Sequence, residues 1–429
     1  MNTESDTARA EAAAGDRDAD RAALPEPMRR DVRLLGDILG EVIRESAGAE
    51  LLADVERLRR AVIAARRAER GRGRPGSGDE IAALVASWSL ERAEQVARAF
   101  TVYFHLANLA EEHQRIRILR ERDRGGEPVR ESLAAAVAAI DREAGRAHLL
   151  ELLGSLRVHL VLTAHPTEAR RRAVVAALRR VGELLRAADD PRAGAAERDE
   201  ARRGLHEAVD LLWRTSQLRV KAMSPIDEVR TVMAVFDETL FRVVPAVYRA
   251  LDRALLGADS GRRASPVPAF LRFGSWVGAD RDGNPFVTAQ VTRETAAIQA
   301  DHVLRALENA ATGVGRSLTL HEASTPPSAA LRRALAAARA AHPELLGEIE
   351  ARSPQEPYRS YLLYAARRVG ATRTRHAGLA YRRPAEFLAD LRLVQESLAA
   401  AGAGRQAFGE LQHLIWQAET FGFHLAGLE

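Results

Sequence analysis

The chain has 429 residues, 46% of them hydrophobic and 5% aromatic, with a formal net charge of +4. That is enough for a large core or for two to three ordinary domains, and no apolar run approaches the roughly 18 residues a bilayer span needs. There is no cysteine, which excludes disulfides, thiolate metal sites and cysteine nucleophiles and suits a cytoplasmic location.

The polar opening, Met1 to Asp20, does not read as a secretory signal. Residues 1–27 read as a disordered tail. From Val32 the pattern turns helical, with Leu35, Ile38, Leu39 and Val42 on one face. Helix continues from Leu51 to Arg67 and is broken by the Gly/Pro/Ser-rich stretch 71–78. A long helix follows from Glu80 to Arg120, then a turn at Arg124–Pro128 and a third helix over Ser132–Gly154. Residues 28–154 thus form an amino-terminal helical region.

The short apolar run from Val158 to Leu162 has the β-branched content and length of a buried strand. It stops at His165-Pro166-Thr167-Glu168, where Pro166 disfavours helix at His165 and Thr167 can cap a helix starting near Glu168. That helix runs to Ala188, and another spans Ala195–Ala222. Ser224 followed by Pro225 opens a helix to Leu256, serine capping and proline taking the first helical position. A second strand, 269–277, ends in the turn-rich Gly278-Ala279-Asp280-Arg281-Asp282-Gly283-Asn284-Pro285. Helices fill Thr288–Thr420, with breaks at 324–327, 353–357 and 381–384, and Phe421–Glu429 reads as a third strand. Strands this far apart, joined by helices, are expected to be parallel. The expected class is mostly α with a few parallel strands: residues 155–429 are the first part of a helix-rich (β/α)8 barrel, incomplete in this chain, with long helical insertions. Chemistry in such barrels sits at the carboxyl ends of strands.

Both strand ends carry candidate chemistry. At the first, a helix amino terminus and Arg170, Arg171 and Arg172 favour a bound anion, and His165 can exchange a proton with it. On a helix the three arginines point about 100° apart, so they cannot all face one ligand. The simpler reading of His165 is a strand-end ring satisfied by a carbonyl; a metal pair with His159 lacks a third ligand. At the second strand end the glycines allow close backbone approach to a ligand. Arg281 can hold an oxyanion, Asp280 or Asp282 can orient it, and Trp276 can exclude water. The competing reading is a turn whose Asp and Asn side chains cap it.

The stretches Val161–Glu168 and Gly274–Pro285 closely resemble the two signature stretches of the amino-terminal half of phosphoenolpyruvate carboxylase. Asn108–Arg117, Leu212–Arg219, Glu356-Pro357-Tyr358-Arg359 and Phe421–Glu429 agree in order, so the resemblance covers about Val32 to Glu429. It implies formation of oxaloacetate and phosphate from phosphoenolpyruvate and bicarbonate, with Mg2+ or Mn2+, by a cytoplasmic homotetramer built on a (β/α)8 barrel. It implies that His165 takes a proton from carboxyphosphate, that Trp276 serves bicarbonate handling, and that Arg171 and Arg172 belong to an effector site for anions. The family's acidic metal ligands lie in its other half, so none is expected here. Ala279 replaces a glycine usual in the family.

The alternative is a non-enzymatic helical module that binds phosphometabolites or a partner protein. A nucleic-acid binder is disfavoured, because aromatics are few and no recognition motif is present. No membrane association is expected either.

Overall fold

The computed structural model describes residues 25–69, 77–126, 128–163, 171–217, 223–282 and 284–429. Of the expected tail, 1–27, only the last three residues are described, and there the helix Glu26–Ala47 has already begun; of the expected break at 71–78, Ser77 and Gly78 open a helix and the rest lies outside the described residues. Two compact units interleave along the chain: Met1–Glu127 with Glu168–Lys221, and Pro128–Thr167 with Ala222–Glu429. Among the described residues, no helix is long and apolar enough to cross a membrane.

The first unit is helical. Its described helices are Glu26–Ala47, Ala49–Glu69, Ser77–Ala86, Leu90–Arg124, Arg172–Ala188 and Ala195–Arg214. The single helix expected from 80 to 120 is two. Ser87 and Trp88 close the first onto Ala83–Val85, and the Ser89 side chain accepts from Arg92 N to cap the second. The 195–214 helix ends eight residues short of Ala222 because Thr215 turns extended, its N–H still bonded to Leu211 O. Leu35, Ile38, Leu39, Val42, Val102, Leu106, Val181 and Leu205 share one apolar core.

Into that core runs an ionic network that explains the Asn108–Arg117 stretch. Asp31 is 3% exposed. Its Oδ2 lies 3.2 Å from His113 Nδ1 and 2.7 Å from Arg117 Nη1. Arg117 Nε donates to Asp189 (2.8 Å), which also accepts from Arg30 (2.8 Å). Five side chains thus tie the helix Glu26–Ala47 to Leu90–Arg124 and to the end of Arg172–Ala188.

The second unit holds three strands: β1 Val158–Leu162, β2 Leu271–Ser275 and β3 Gly427–Leu428. They form a parallel sheet in the order β1-β2-β3, with Val158 opposite Leu271 and Gly274 opposite Gly427. The class expected from sequence holds: mostly helix, with a few parallel strands. The third strand is shorter than expected. Phe421 still belongs to the helix Glu410–Phe421, and Gly422, at φ 54°, ends it.

One sheet face is packed. Phe273 of β2 stacks on Phe421 (5.5 Å between centroids) and meets Phe236 edge-on (5.5 Å), while Phe241 stacks on Phe421 from beyond (5.3 Å). Tyr248, fully buried, accepts from Leu271 N and bonds Thr420 Oγ1, so its hydroxyl pins the start of β2.

Ser224 and Pro225 start a helix as expected, and Asp227 completes the capping box. The continuous helix to Leu256 is interrupted. Pro225–Val235 passes through a π turn, Phe236–Leu240, into Phe241–Leu256. Pro245 inside the last helix has no N–H to give to Phe241 O and crowds that carbonyl. Gln417 Nε2 makes good the loss at 2.8 Å.

The Asp31 network has a pH signature. Burial alone would raise the Asp31 carboxyl, but hydrogen bonds from His113 and Arg117 outweigh it and hold it below the usual carboxylate value. A depressed carboxyl contributes its stability above the unfolded value of about 4 and loses it as pH falls through the folded value. Asp31→Asn is expected to cost about 3 kcal/mol at pH 7, since Arg117 loses its buried counter-charge and His113 its hydrogen-bond partner. It also flattens the fall in melting temperature between about pH 5 and pH 2. Thermal unfolding followed by circular dichroism across that range checks both; a variant as stable as the parent at pH 7 contradicts the assignment.

Candidate functional site

β1 and β2 finish side by side. Trp276 N, the first amide after β2, donates to Leu162 O, the last carbonyl of β1, at 2.9 Å. Glu429 N donates to Ser275 O at 3.2 Å. The carboxyl ends of the three strands therefore form one edge, as a parallel sheet with helical crossovers requires.

The loop after β2 is tightly built. Ser275 Oγ accepts from Val277 N (3.2 Å), and the Ala279 and Asp280 amides both donate to Trp276 O (3.0 and 2.9 Å). Gly278 sits at φ +83°. A Cβ there would lie 2.2 Å from Thr295 Oγ1 and 2.9 Å from Val229 Cγ2. Glycine is required twice, by the sign of φ and by the close approach. Ala279 is not among the residues with positive φ, so its methyl group adds no backbone strain.

The candidate side chains stand on this frame. Trp276 is 45% exposed. Asp280 and Arg281 are exposed. Asp280 Oδ1 accepts from Asp282 N (3.0 Å) and Asn284 Oδ1 from Phe286 N (3.0 Å). The self-capping reading of the turn is thus present in the geometry, and it leaves the Arg281 guanidinium and the Trp276 ring facing solvent. Trp276, Asp280 and Arg281 lie within six residues on one loop.

His165 falls at 164–170, outside the described residues, as do Thr167 and Arg170. Arg171 precedes the first turn of the helix Arg172–Ala188 with extended backbone (φ −68°, ψ 138°). That helix therefore starts four residues later than Glu168. Arg171 Nη1 donates to Ser216 O at 3.3 Å, and Arg172 is the first helical residue. Both belong to the first unit, whereas the Trp276 loop belongs to the second.

One pair escaped the sequence reading. His159 Nε2 lies 3.3 Å from Glu429 Oε1, both about half exposed. They meet above Gly274, where a Cβ would stand 2.9 Å from each of those atoms. His159 therefore finds its partner on β3 across a glycine of β2. Alternation along β1 and β2 places His159 on one sheet face with Arg272, Gly274 and Trp276, but nothing in the sequence signals that Glu429 would arrive there. Among the described residues, no three His, Asp or Glu side chains converge as a metal site needs.

The family model for phosphoenolpyruvate carboxylase matches residues 28–429. A phosphoenolpyruvate carboxylase of Nocardia farcinica is 36% identical over 420 residues, covering 94% of this chain and 43% of its own length. Those of Aromatoleum aromaticum (34% identical) and Roseiflexus castenholzii (35%) each match across 94% of this chain and 44% of their own. The chain thus spans less than half the length of the curated relatives it matches.

The Gly278 contact is directly testable. Gly278→Ala combines overpacking with a left-handed backbone and is expected to destabilise by about 2–4 kcal/mol. Adding Thr295→Ala removes the nearest obstacle and is expected to restore about 1 kcal/mol or more. Urea unfolding of the two variants measures the coupling; additive effects contradict the contact.

Proposed function

The chain belongs to the phosphoenolpyruvate carboxylase family, and from that premise we propose that it carries the amino-terminal share of a carboxylating active site. The reaction joins phosphoenolpyruvate and bicarbonate into oxaloacetate and phosphate. The observation that supports this reading most is the hydrogen bond from Trp276 N to Leu162 O. Leu162 precedes His165 by three residues in the chain, and Trp276 follows the last residue of β2. The two signature stretches therefore leave the same sheet edge.

In this reading a bicarbonate oxygen attacks the phosphorus and the phosphorus–enol oxygen bond breaks, giving carboxyphosphate and the pyruvate enolate. His165 takes the carboxyphosphate proton. The bond between carboxyl carbon and phosphate oxygen then breaks, and the freed CO2 is attacked by the enolate carbon. The histidine acts as a general base near neutral pH. Trp276 walls the CO2 off from water, which the open position of its ring on the loop permits. Arg281 holds an oxyanion through paired guanidinium donors, with Asp280 fixing the turn beneath it. Arg171 and Arg172 form an anion or effector site, a role that fits their position at the start of a helix.

A divalent cation, Mg2+ or Mn2+, supplies charge neutralisation at the phosphate when bound. Among the described residues no ligand set for it is present, and we assign its ligands to the carboxyl-terminal region of the longer relatives. The same holds for closure of the (β/α)8 barrel, of which β1 to β3 are taken as the first strands. The assembled enzyme is taken to be a cytoplasmic homotetramer.

The purified 429-residue chain is expected to give no bicarbonate-dependent oxaloacetate in an NADH-coupled assay; turnover by the chain alone overturns the assignment of a partial site. Joined to the carboxyl-terminal part of the Nocardia farcinica relative, it is expected to turn over. In that fusion His165→Asn should lower oxaloacetate formation by about 10²–10⁴-fold, the usual worth of a general base, while some phosphoenolpyruvate hydrolysis persists. Parental carboxylation by the variant removes His165 from the role of base.

A further inference from the structure

The π turn Phe236–Leu240 opens onto a cleft of 450 Å³ that the carboxylation reading does not use. Its walls come from three elements. Asp237 and Arg242 flank the turn. His302, Arg305 and Asn309 lie at three- and four-residue spacing on one face of the helix Ala289–Ser317. Gln417 closes the end, its amide donating to Phe241 O.

Most of the polar side chains in this lining are hydrogen-bond donors. Asp237 is already engaged: its Oδ2 lies 2.7 Å from His302 Nδ1, joining residues 65 apart. It orients the ring and is the one carboxylate among the lining residues. Arg242 gives one hydrogen bond to Glu238 O, and Arg305 pairs with Asp301, which is shared with Arg373 at 3.5 Å. Each guanidinium carries five donors, so most of those on Arg242 and Arg305 are left for a ligand. The Asn309 side chain adds an amide. The cavity is of the size that holds a small molecule.

The π turn is what brings this about. One additional residue per turn re-aims the side chains that follow, and such turns recur at functional sites. Here it places Asp237 against His302 and Arg242 beside the cleft.

We propose that this cleft binds a small oxyanion, held by Arg242 and Arg305 with His302 and Asn309 beside them. The shared chemistry is a phosphate or a carboxylate, and the experiment separates the two. None of these residues belongs to the proposed carboxylation site, so the two readings fail independently.

The test is calorimetric titration of the 429-residue chain with inorganic phosphate and, separately, with succinate. Saturable one-site binding of at least one is expected, weakened at least tenfold by Arg242→Gln and by Arg305→Gln, about 1.4 kcal/mol each. Phosphate without succinate identifies a phosphate site, and the reverse a carboxylate site. The circular dichroism melt of each variant shows that it is folded; where an arginine variant is not, His302→Gln gives the comparison. Absence of saturable binding by both anions overturns the proposal. So does a folded Arg242→Gln/Arg305→Gln double variant that binds as tightly as the parent.

Discussion

A single backbone hydrogen bond, Trp276 N to Leu162 O, carries the arrangement on which the second unit depends. It continues the parallel register of β1 on β2 past the last paired residues, Leu162 and Ser275. Parallel strands need long crossovers, so the helices between residues 162 and 271 follow from it. So does the common direction of the strand ends. The packed face of the sheet, built from Phe236, Phe241, Phe273 and Phe421, holds β2 from behind. Gly278 then presses the exit loop onto Thr295 and Val229, and Trp276 and Arg281 are left pointing outward. A side chain at 278 would break that chain of contacts at its narrowest point.

What could be read from sequence was local. Ser224-Pro225 announced a helix start because cap and first-turn chemistry are encoded by adjacent residues, and the structure has that cap. The three strands were legible from short apolar runs. The π turn was not, nor was the answer to Pro245: Gln417, which donates to Phe241 O, lies 176 residues away in sequence. The Asp31–His113 pair spans 82 residues and was invisible for the same reason. At the candidate site, Trp276, Asp280 and Arg281 could be named because they share one short motif. The His159–Glu429 pair could not, because the register of three strands decides it. The role of His165 was legible only through its motif, and it lies outside the described residues.

The arginine content also acquires a physical meaning. Arg203 bridges Glu200 and Glu207, Arg214 pairs with Asp210, and Arg352 with Glu348, all one helical turn apart. Exposed pairs of this kind contribute little to stability. They set opposite charges one turn apart along helix faces. The exceptions are informative. Arg117 is drawn into the core of the first unit, and Arg242 and Arg305 flank a cleft.

The most direct test of the sheet-edge arrangement is amide hydrogen exchange at Trp276, followed by NMR in the 429-residue chain. Donation to Leu162 O predicts exchange slowed at least about a hundredfold relative to an unstructured peptide, as for other amides held in a sheet. Exchange at the unstructured rate would mean that β1 and the Trp276 loop do not meet, and the two signature stretches would then have no shared edge.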